Sequence, residues 1–511
     1  MKLQKLEALS HAEVETIHES TLRLLEDVGV MVHSQEARDL LKQNGCIIDE
    51  SPSNFFHYVK YPRHVVEKYL KLVPDKFTLH GVDGSYNFTV DTETTHYATV
   101  GTPVKIFAPE KKKSVRTSVL ADTINQIRVV DSLKNIKCSH SDVWANDVEY
   151  LQLHCHVIKA WAKNSRKPFG LGALGRTASQ DMMNLLSILV GGGEELKKRP
   201  RLIGFYNPTS PLLHPTIMLN GLVVFAKYKQ PLIIAPAASA GSTAPVTLAG
   251  LIVQTNMEAL SAIVLTQMVN SGAPVLYSTM SAPMDPLTSN VSWGSIETGL
   301  ITSAFAQLGR YYRIPSRGPG CVTESKIFDI QNGYERFMTL FCAATSGINY
   351  ITCAGTYESS LTEALELWII DDDLMSIVSR AKEGIMVDDN TLATDVIREI
   401  SQKEKKHYLG HKHSVRNIRN ELYVSKLADR NRRTIWKKNG SKDIVQRAKE
   451  IVEHILETQK GLGMDPAIEK RFDEYWDTYV KPRTMDDFRK LEGMENATES
   501  GVSYGQDITG G

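Results

Sequence analysis

The chain has 511 residues, 42% of them apolar and 23% charged, with 59 Lys and Arg against 59 Asp and Glu. That is the composition of an ordinary globular protein. It argues against global disorder and against a basic nucleic-acid footprint spread over the whole chain. No apolar run reaches the roughly 18 residues that a membrane helix needs. The longest, around Leu260–Val269, is interrupted by Ser261, Thr266 and Gln267. The N-terminus Met1-Lys-Leu-Gln-Lys-Leu-Glu7 carries no hydrophobic segment. The six cysteines (Cys46, Cys138, Cys155, Cys321, Cys342, Cys353) are scattered, with no CxxC pair. The expectation is a cytoplasmic protein with reduced thiols and neither membrane nor nucleic acid as partner.

In chain order, residues 11–29 predict an amphipathic helix. Val14, Ile17, Thr21, Leu22, Leu25 and Val28 recur at spacings of three and four, and Gly29 supplies a stop. Further helices are expected over 34–44 and 62–72, so residues 1–93 read as a small helical region with a few short strands. From residue 94 the pattern changes. Short apolar or small-residue runs begin at His96, Ile136, Lys167, Arg201, Leu232, Val275, Ile314 and Tyr350. Helical segments follow them near 117–133, 147–163, 178–191, 214–227, 246–270, 293–310, 328–346 and 361–381. Repeated β-then-α units imply a parallel sheet. Eight of them over 94–385 fit an α/β protein of the closed (β/α)8 barrel type. An open doubly wound sheet is the alternative, but neither GxGxxG nor GxxxxGK[ST] follows the first strand.

Residues 386–493 read as a charged, helical C-terminal extension. Ser441 is placed to cap a helix holding Ile444, Val445, Ala448, Ile451, Val452, Ile455 and Leu456. Lys403–Arg419 is basic and carries three histidines, and more basic residues follow from Arg430 to Lys438. Such a run is either a solvated face or an anion contact. The stretch 494–511 is polar and Gly-rich, and mobility is expected there.

Barrel chemistry collects on the loops after the strands. Those loops carry Trp144, Tyr206, Trp293, Tyr334 and Tyr357 together with Asp142, Glu324, Asp329 and Glu358, and the expectation is that they meet over one cavity. Ring faces with diffuse negative potential suit a cation that has no N–H to donate, a quaternary ammonium above all. Each residue also has a plainer reading: a core aromatic, or a carboxylate capping the next helix, as Asp329 could. A carboxylate on the ligand would want Arg317 or Arg313.

Metal and thiol chemistry have weaker signals. Cys138/His140, His154/Cys155/His156 and His407/His411/His413 are the donor clusters, none with a complete ligand pattern. Cys321, in a Gly-rich loop, is the best thiol for a Cys–His nucleophile or simply a small residue in a crowded turn.

Several stretches resemble the trimethylamine methyltransferase family, in its branch lacking pyrrolysine. They are Leu24-Leu-Glu-Asp-Val-Gly-Val30, Asn207-Pro-Thr-Ser-Pro-Leu212, Gly241-Ser-Thr-Ala-Pro245 and Ile314-Pro-Ser-Arg-Gly318. Thr323-Glu-Ser-Lys326 with Asp329-Ile-Gln331 and Tyr334-Glu335 follow, then Gly384-Ile385, His411-Lys-His-Ser414 and Gly440-Ser-Lys-Asp443 with Arg447-Ala448. The likeness covers roughly 10–460 and lies in order and spacing. Thr-Glu-Ser-Lys stands where the family often shows Thr-Asp-Ser-Lys, and His413-Ser414 where it often shows His-Thr.

The resemblance implies a (β/α)8 barrel that moves a methyl group from an amine to the Co(I) centre of a corrinoid (cobalamin) carried by a separate partner protein. Only the twenty ordinary residues occur here, which points to quaternary amines, glycine betaine first. A quaternary ammonium releases its methyl with a neutral tertiary amine as leaving group, so no metal bound by this chain is expected. On this reading Glu324, Asp142 and Glu358 are the catalytic acids. Tyr206, Asn207, Tyr357, Trp144, Arg317 and Gln331 bind substrate, and the chain forms a homo-oligomer. A Cys321-dependent hydrolase or lyase, and a non-catalytic betaine-binding subunit of a corrinoid complex, are the alternatives.

Overall fold

In the middle of the chain each apolar run forms a strand and each amphipathic segment after it a helix. The computed structural model describes residues 4–49, 56–99, 101–108, 115–140, 143–404 and 406–494. The barrel strands are β1 (His96–Thr99), β2 (Ile136–His140), β3 (Phe169–Gly172), β4 (Leu202–Tyr206), β5 (Leu232–Ile234), β6 (Val275–Ser278), β7 (Ser316–Pro319) and β8 (Tyr350–Ala354). They alternate with α1 (Leu120–Ser132), α2 (Leu153–Asn164), α3 (Gly175–Val190), α4 (Thr216–Lys227), α5 (Leu248–Val269), α6 (Ile296–Tyr312), α7 (Ile330–Ser346) and α8 (Leu365–Glu383). Every neighbouring pair of strands is parallel, and β8 closes onto β1 through Tyr350 and His96. The sheet is a closed eight-stranded barrel.

Side chains alternate across each strand, so odd and even positions part company. Ile203, Leu276, Cys138, Ala98 and Tyr350 fill the barrel interior. Leu202, Tyr206, Val275 and Tyr277 face the helices. The 22-residue α5 is long and apolar enough to cross a membrane by length and composition. It is instead a core helix, buried against the barrel wall along most of its length.

The N-terminal region adds helices His11–Asp27, Gln35–Gln43 and Arg63–Leu70. Ser10 caps the first through a reciprocal bond with Glu13, and the chain turns after it at Gly29, whose φ is +79°. Strand Val30–Val32 pairs with Leu213–His214 in the loop after β4. A hairpin, Lys76–His80 with Asn87–Asp91, covers the N-terminal end of the barrel. Its Phe77, Leu79 and Val90 join the interior cluster, and His80 N–H donates to Pro200 O at 2.9 Å just ahead of β4.

The C-terminal extension wraps the outside. Helix Ile444–Thr458 lays Ala448 and Val452 against α1 and α8. Its cap is Asp443, in a capping box with Gln446, and not Ser441, which sits at φ +55° in the preceding turn. Helices Pro466–Tyr475 and Met485–Glu492 then return over α2 and α3. There the Glu492 carboxylate accepts the N–H groups of Arg176 (2.8 Å) and Thr177 (2.7 Å) at the start of α3. The tail 495–511 lies outside the described residues.

Candidate active site at the C-terminal mouth of the barrel

The interior ends at its C-terminal mouth in a small aromatic and sulfur cluster. Val322 and Cys353 are buried there, and half-buried Phe205, Met280 and Trp293 pack on them. Phe205 is the last inward residue of β4. Trp293 comes from the loop after β6, where its indole N–H donates to Met280 O at 3.0 Å.

Beneath this cluster lies Arg317, inward on β7 and 0% exposed. It donates to Thr279 O at 3.2 Å, to the Thr352 hydroxyl, and to Cys353 Sγ at 3.6 Å. Its guanidinium carbon is 5.0 Å from the Phe205 ring centre. Nε is buried without a partner. Among the described residues no carboxylate reaches this cation. Burial pulls its proton affinity below the usual guanidinium range, yet an arginine stays charged. Arg313, by contrast, is an exposed residue at φ +57° ending α6 on the opposite end of the barrel. It is no candidate for the mouth.

Deeper inside, His140 Nε2 and the Tyr350 hydroxyl share a hydrogen bond of 3.0 Å. Burial, helped by the Arg317 charge, pushes this histidine down to about 3, so it is neutral. The facing position on β3 is Gly170, whose missing Cβ would sit 1.9 Å from His140 Nδ1. Glycine is required there.

Glu324 stands on the loop after β7. Its two oxygens accept the N–H groups of Trp293 (2.8 Å) and Gly294 (2.7 Å). Glu335 on α7 accepts the Thr323 hydroxyl (2.6 Å) and the Glu324 N–H (3.0 Å), and Gln331 bonds it at 2.9 Å. A Cβ at Gly294 would lie 2.7 Å from both carboxylates. The Thr-Glu-Ser-Lys stretch is therefore a folded knot that fixes Trp293. Burial raises the Glu324 pKa, with Glu335 adding repulsion and the two N–H groups opposing both.

The other expected site residues fall in several places. Asn207 is at the mouth, its amide donating to Ala235 O at 2.6 Å. Asp142 lies outside the described residues. Glu358 is half-buried on the loop after β8, in a run of three left-handed residues with Ser359 and Ser360 at φ +54°, +53° and +63°. Its carboxylate accepts the Thr362 hydroxyl at 2.7 Å. Tyr334 is exposed, and Asp329 caps α7 through the Asn332 N–H at 2.9 Å.

Three aromatic expectations are corrected. Tyr206 follows Phe205 by one residue, so strand alternation sends it outward. Its hydroxyl bonds His214 Nδ1 at 2.6 Å, and His214 in turn bonds Ser261 on α5 at 2.8 Å. Tyr357 packs with Phe328 (5.3 Å between ring centres), Ala364 and Leu367 in a separate cluster. Trp144 stacks on Tyr150 in a pocket on the flank, shared with His154, Thr177 and Phe488. The residues that do face the mouth, Phe205 and Trp293, carried a usable signal only in part. Trp293 follows β6 closely, but Phe205 needed the strand parity.

The donor clusters are committed elsewhere. His154, Cys155 and Asp181 come together within 4.8 Å. Asp181 already accepts His154 (2.9 Å), Tyr475 (2.7 Å) and the Arg483 guanidinium (2.6 Å). His411 caps helix Lys412–Glu421. The hydrolase alternative loses its nucleophile: Cys321 is fully buried, and burial beside Asp371 holds its thiol well above the usual range.

The whole chain answers to one sequence family. The pattern of the family described as trimethylamine methyltransferase (MTTB) matches residues 1–483. The chain belongs to that family. It is similar to the glycine betaine methyltransferase of Desulfitobacterium hafniense, at 31% identity over 93% of this chain and 97% of that protein. It is likewise similar to the trimethylamine methyltransferase MttB of Methanosarcina barkeri, at 32% identity over 90% of this chain and 92% of that protein. Among solved structures, the monomethylamine methyltransferase MtmB of Methanosarcina barkeri covers 97% of this chain at 11% identity, with 96% of its own length matched and a TM-score of 0.47. As a member of the MTTB family this chain is a methyltransferase on a (β/α)8 barrel.

Proposed function

We propose that this chain takes a methyl group from a quaternary amine bearing a carboxylate, glycine betaine first, and passes it to the Co(I) of a corrinoid on a separate protein. The observation that carries the reading is Arg317. A buried guanidinium with neutral partners only, its Nε–H unpaired, is costly unless an anion arrives to complete it. A betaine carboxylate is such an anion, and trimethylamine has none. Phe205, Trp293 and the Met280 sulfur offer the methylammonium end an apolar, polarizable surface beside it.

The chemistry asks little proton transfer of the chain. The N–CH3 bond breaks, its electron pair stays on nitrogen, and a neutral tertiary amine leaves. The acceptor supplies the nucleophile when docked. The chain's share is orientation and the exclusion of water. Exposed Val246, Leu287 and Ile327 on the loops after β5, β6 and β7, with Ile330 at the start of α7, give the mouth an apolar rim for a docking protein. The glycine betaine relative supports the substrate.

The test is a panel of amines assayed for methylation of free cob(I)alamin. Glycine betaine and longer carboxylated quaternary amines should turn over. Choline and tetramethylammonium should do so poorly, and trimethylamine not at all. Equal rates with trimethylamine and betaine would defeat the proposal.

A further inference from the structure

Along β6, Leu276 fills the barrel interior and Tyr277 faces the helices, its hydroxyl donating to Asn256 Oδ1 on α5 at 2.7 Å. Alternation therefore returns Ser278 to the interior. It is fully buried, and its hydroxyl has no hydrogen-bond partner among the described residues. Its register partner on β7 is Arg317. Paired strands lie about 4.8 Å apart, and the two side chains of a parallel register pair stand on the same face of the sheet. The unpaired hydroxyl of Ser278 thus stands beside the unpaired Nε–H of Arg317.

We infer that Ser278 and Arg317 form a carboxylate fork, the Ser278 hydroxyl donating to one oxygen of the substrate and the Arg317 Nε–H to the other. The polar groups around them are already engaged. The two other guanidinium nitrogens bond Thr279 O, the Thr352 hydroxyl and Cys353 Sγ. The Tyr350 hydroxyl is held by His140, and the Thr279 hydroxyl accepts the Ser281 N–H at 2.9 Å. A guanidinium is always charged and only donates, so the group that completes it is an anion and neither a metal ion nor an ammonium. Two donors side by side on neighbouring strands suit a planar group with two acceptor oxygens.

The fork rests on the carboxylated quaternary amine proposed as substrate, and it adds what orients that substrate. With the carboxylate on Ser278 and Arg317, the short link of a betaine sets its methylammonium against Phe205, Met280 and Trp293 overhead, with the methyl groups toward the mouth. Ser278 is then a specificity-determining residue. An amine without a carboxylate leaves both buried donors stranded, and a site built to hydrogen-bond a group discriminates strongly against a ligand that lacks it.

Calorimetric titration of the full-length wild type and of Ser278→Ala tests the inference with three ligands: glycine betaine, its carbon isostere tert-butylacetate, and tetramethylammonium. The substitution removes an unpaired buried hydroxyl, so melting should stay at or above the wild-type temperature. Ser278→Ala should bind betaine and tert-butylacetate roughly tenfold more weakly and tetramethylammonium as the wild type does. A crystal of the wild type with tert-butylacetate needs no variant, and should show the carboxylate within hydrogen-bond distance of Ser278 Oγ and Arg317 Nε. Unchanged binding of both carboxylates by Ser278→Ala overturns the fork, even where Arg317→Met loses them and the proposed substrate stands. An equal loss for tetramethylammonium also overturns it, since Ser278 would then shape the cavity rather than hold a carboxylate. A wild type that binds tert-butylacetate through Ser278 but turns over no betaine keeps the fork and defeats the proposed function instead. A wild type that binds neither carboxylate overturns both.

Discussion

The Arg317 guanidinium sits 5.0 Å from the centre of the Phe205 ring, reaching across the barrel interior from β7 to β4. The contact joins a deeply buried cation to a half-buried apolar face at the mouth. It sets up opposite responses of stability and function. Arg317→Met keeps much of the volume and removes an unpaired buried charge. Replacing buried charge by apolar groups is often neutral or stabilising by about 1–4 kcal/mol. Thermal unfolding of the variant should occur at or above the wild-type temperature. Its affinity for betaine should fall, since hydrogen bonds to a charged group contribute about 1.5–3 kcal/mol, or roughly 10- to 150-fold. Calorimetric titration with betaine checks the second part, and a variant that binds betaine as the wild type does would remove Arg317 from the site.

The aromatic residues divide by strand parity, and the division is testable. Phe205→Leu and Trp293→Leu should each weaken binding of a quaternary amine by about 2- to 30-fold, the range of a cation–π contact worth about 0.5–2 kcal/mol. Tyr206→Phe should leave the betaine concentration dependence unchanged. It removes the 2.6 Å bond to His214 and leaves that buried imidazole short of a partner, so the loss should appear in stability, at about 1–3 kcal/mol. Initial rates over a range of betaine concentrations separate the two groups.

The barrel was legible because short apolar or small-residue runs, Leu232-Ile-Ile234 and Val275-Leu-Tyr-Ser278 most plainly, recur between segments of helix length. Asp329 as a helix cap was legible for the same reason, a local pattern with a local cause. The mouth was less so. Reading loops by their neighbourhood names Tyr206, but Phe205, one residue earlier, is the one that faces inward. Tyr357 follows β8 as expected, yet its fate depends on Phe328, Ala364 and Leu367, far-off partners that no spacing rule supplies. Arg317 was a bare candidate in the sequence. Its weight comes from what surrounds it, which is a property of the fold. Ser441 lost its cap to Asp443 two residues on, an ordinary uncertainty at a helix end.

The loop after β8 hangs on a buried ion pair. Arg336 Nε donates to Asp371 Oδ1 at 2.9 Å, and a second guanidinium nitrogen bonds Oδ2. Arg336 also bonds Thr356 O, and Asp371 Oδ2 accepts the Gly355 N–H at 2.7 Å. Both side chains are at most 1% exposed. Removing either partner strands a charge, so Arg336→Met or Asp371→Leu should each cost about 3–5 kcal/mol of unfolding free energy. The double variant should cost clearly less than the sum. Denaturant melts of the three variants make the cycle, and additive losses would mean that the two groups do not act as a pair.

Glu324 acts through Trp293, and pH should reveal it. Only the ionised carboxylate accepts both the Trp293 and Gly294 N–H groups with full strength. Burial raises its pKa above the ordinary 4.5, with the nearby Glu335 adding to the shift. Two consequences have opposite signs. The folded protein holds this proton more tightly than the unfolded chain does. The group's contribution to stability is therefore fully present below the unfolded value, declines as pH rises through the folded one, and is level above it. Activity runs the other way. As pH falls through the raised value, protonation weakens one of the two bonds, the indole loses its fixed position, and kcat/KM for betaine should fall along an acidic limb lying above pH 4.5. Glu324→Gln turns one acceptor into a donor facing an N–H. It should lower the rate by roughly ten- to a hundredfold, in line with about 1–3 kcal/mol for a mismatched buried polar group. It should also abolish the limb while the protein stays folded. Glu324→Asp keeps an ionisable acceptor and should keep the limb. If the Gln variant loses rate but retains the same acidic limb, the titrating group is another residue, and Glu324 is a loop tether without influence on the indole.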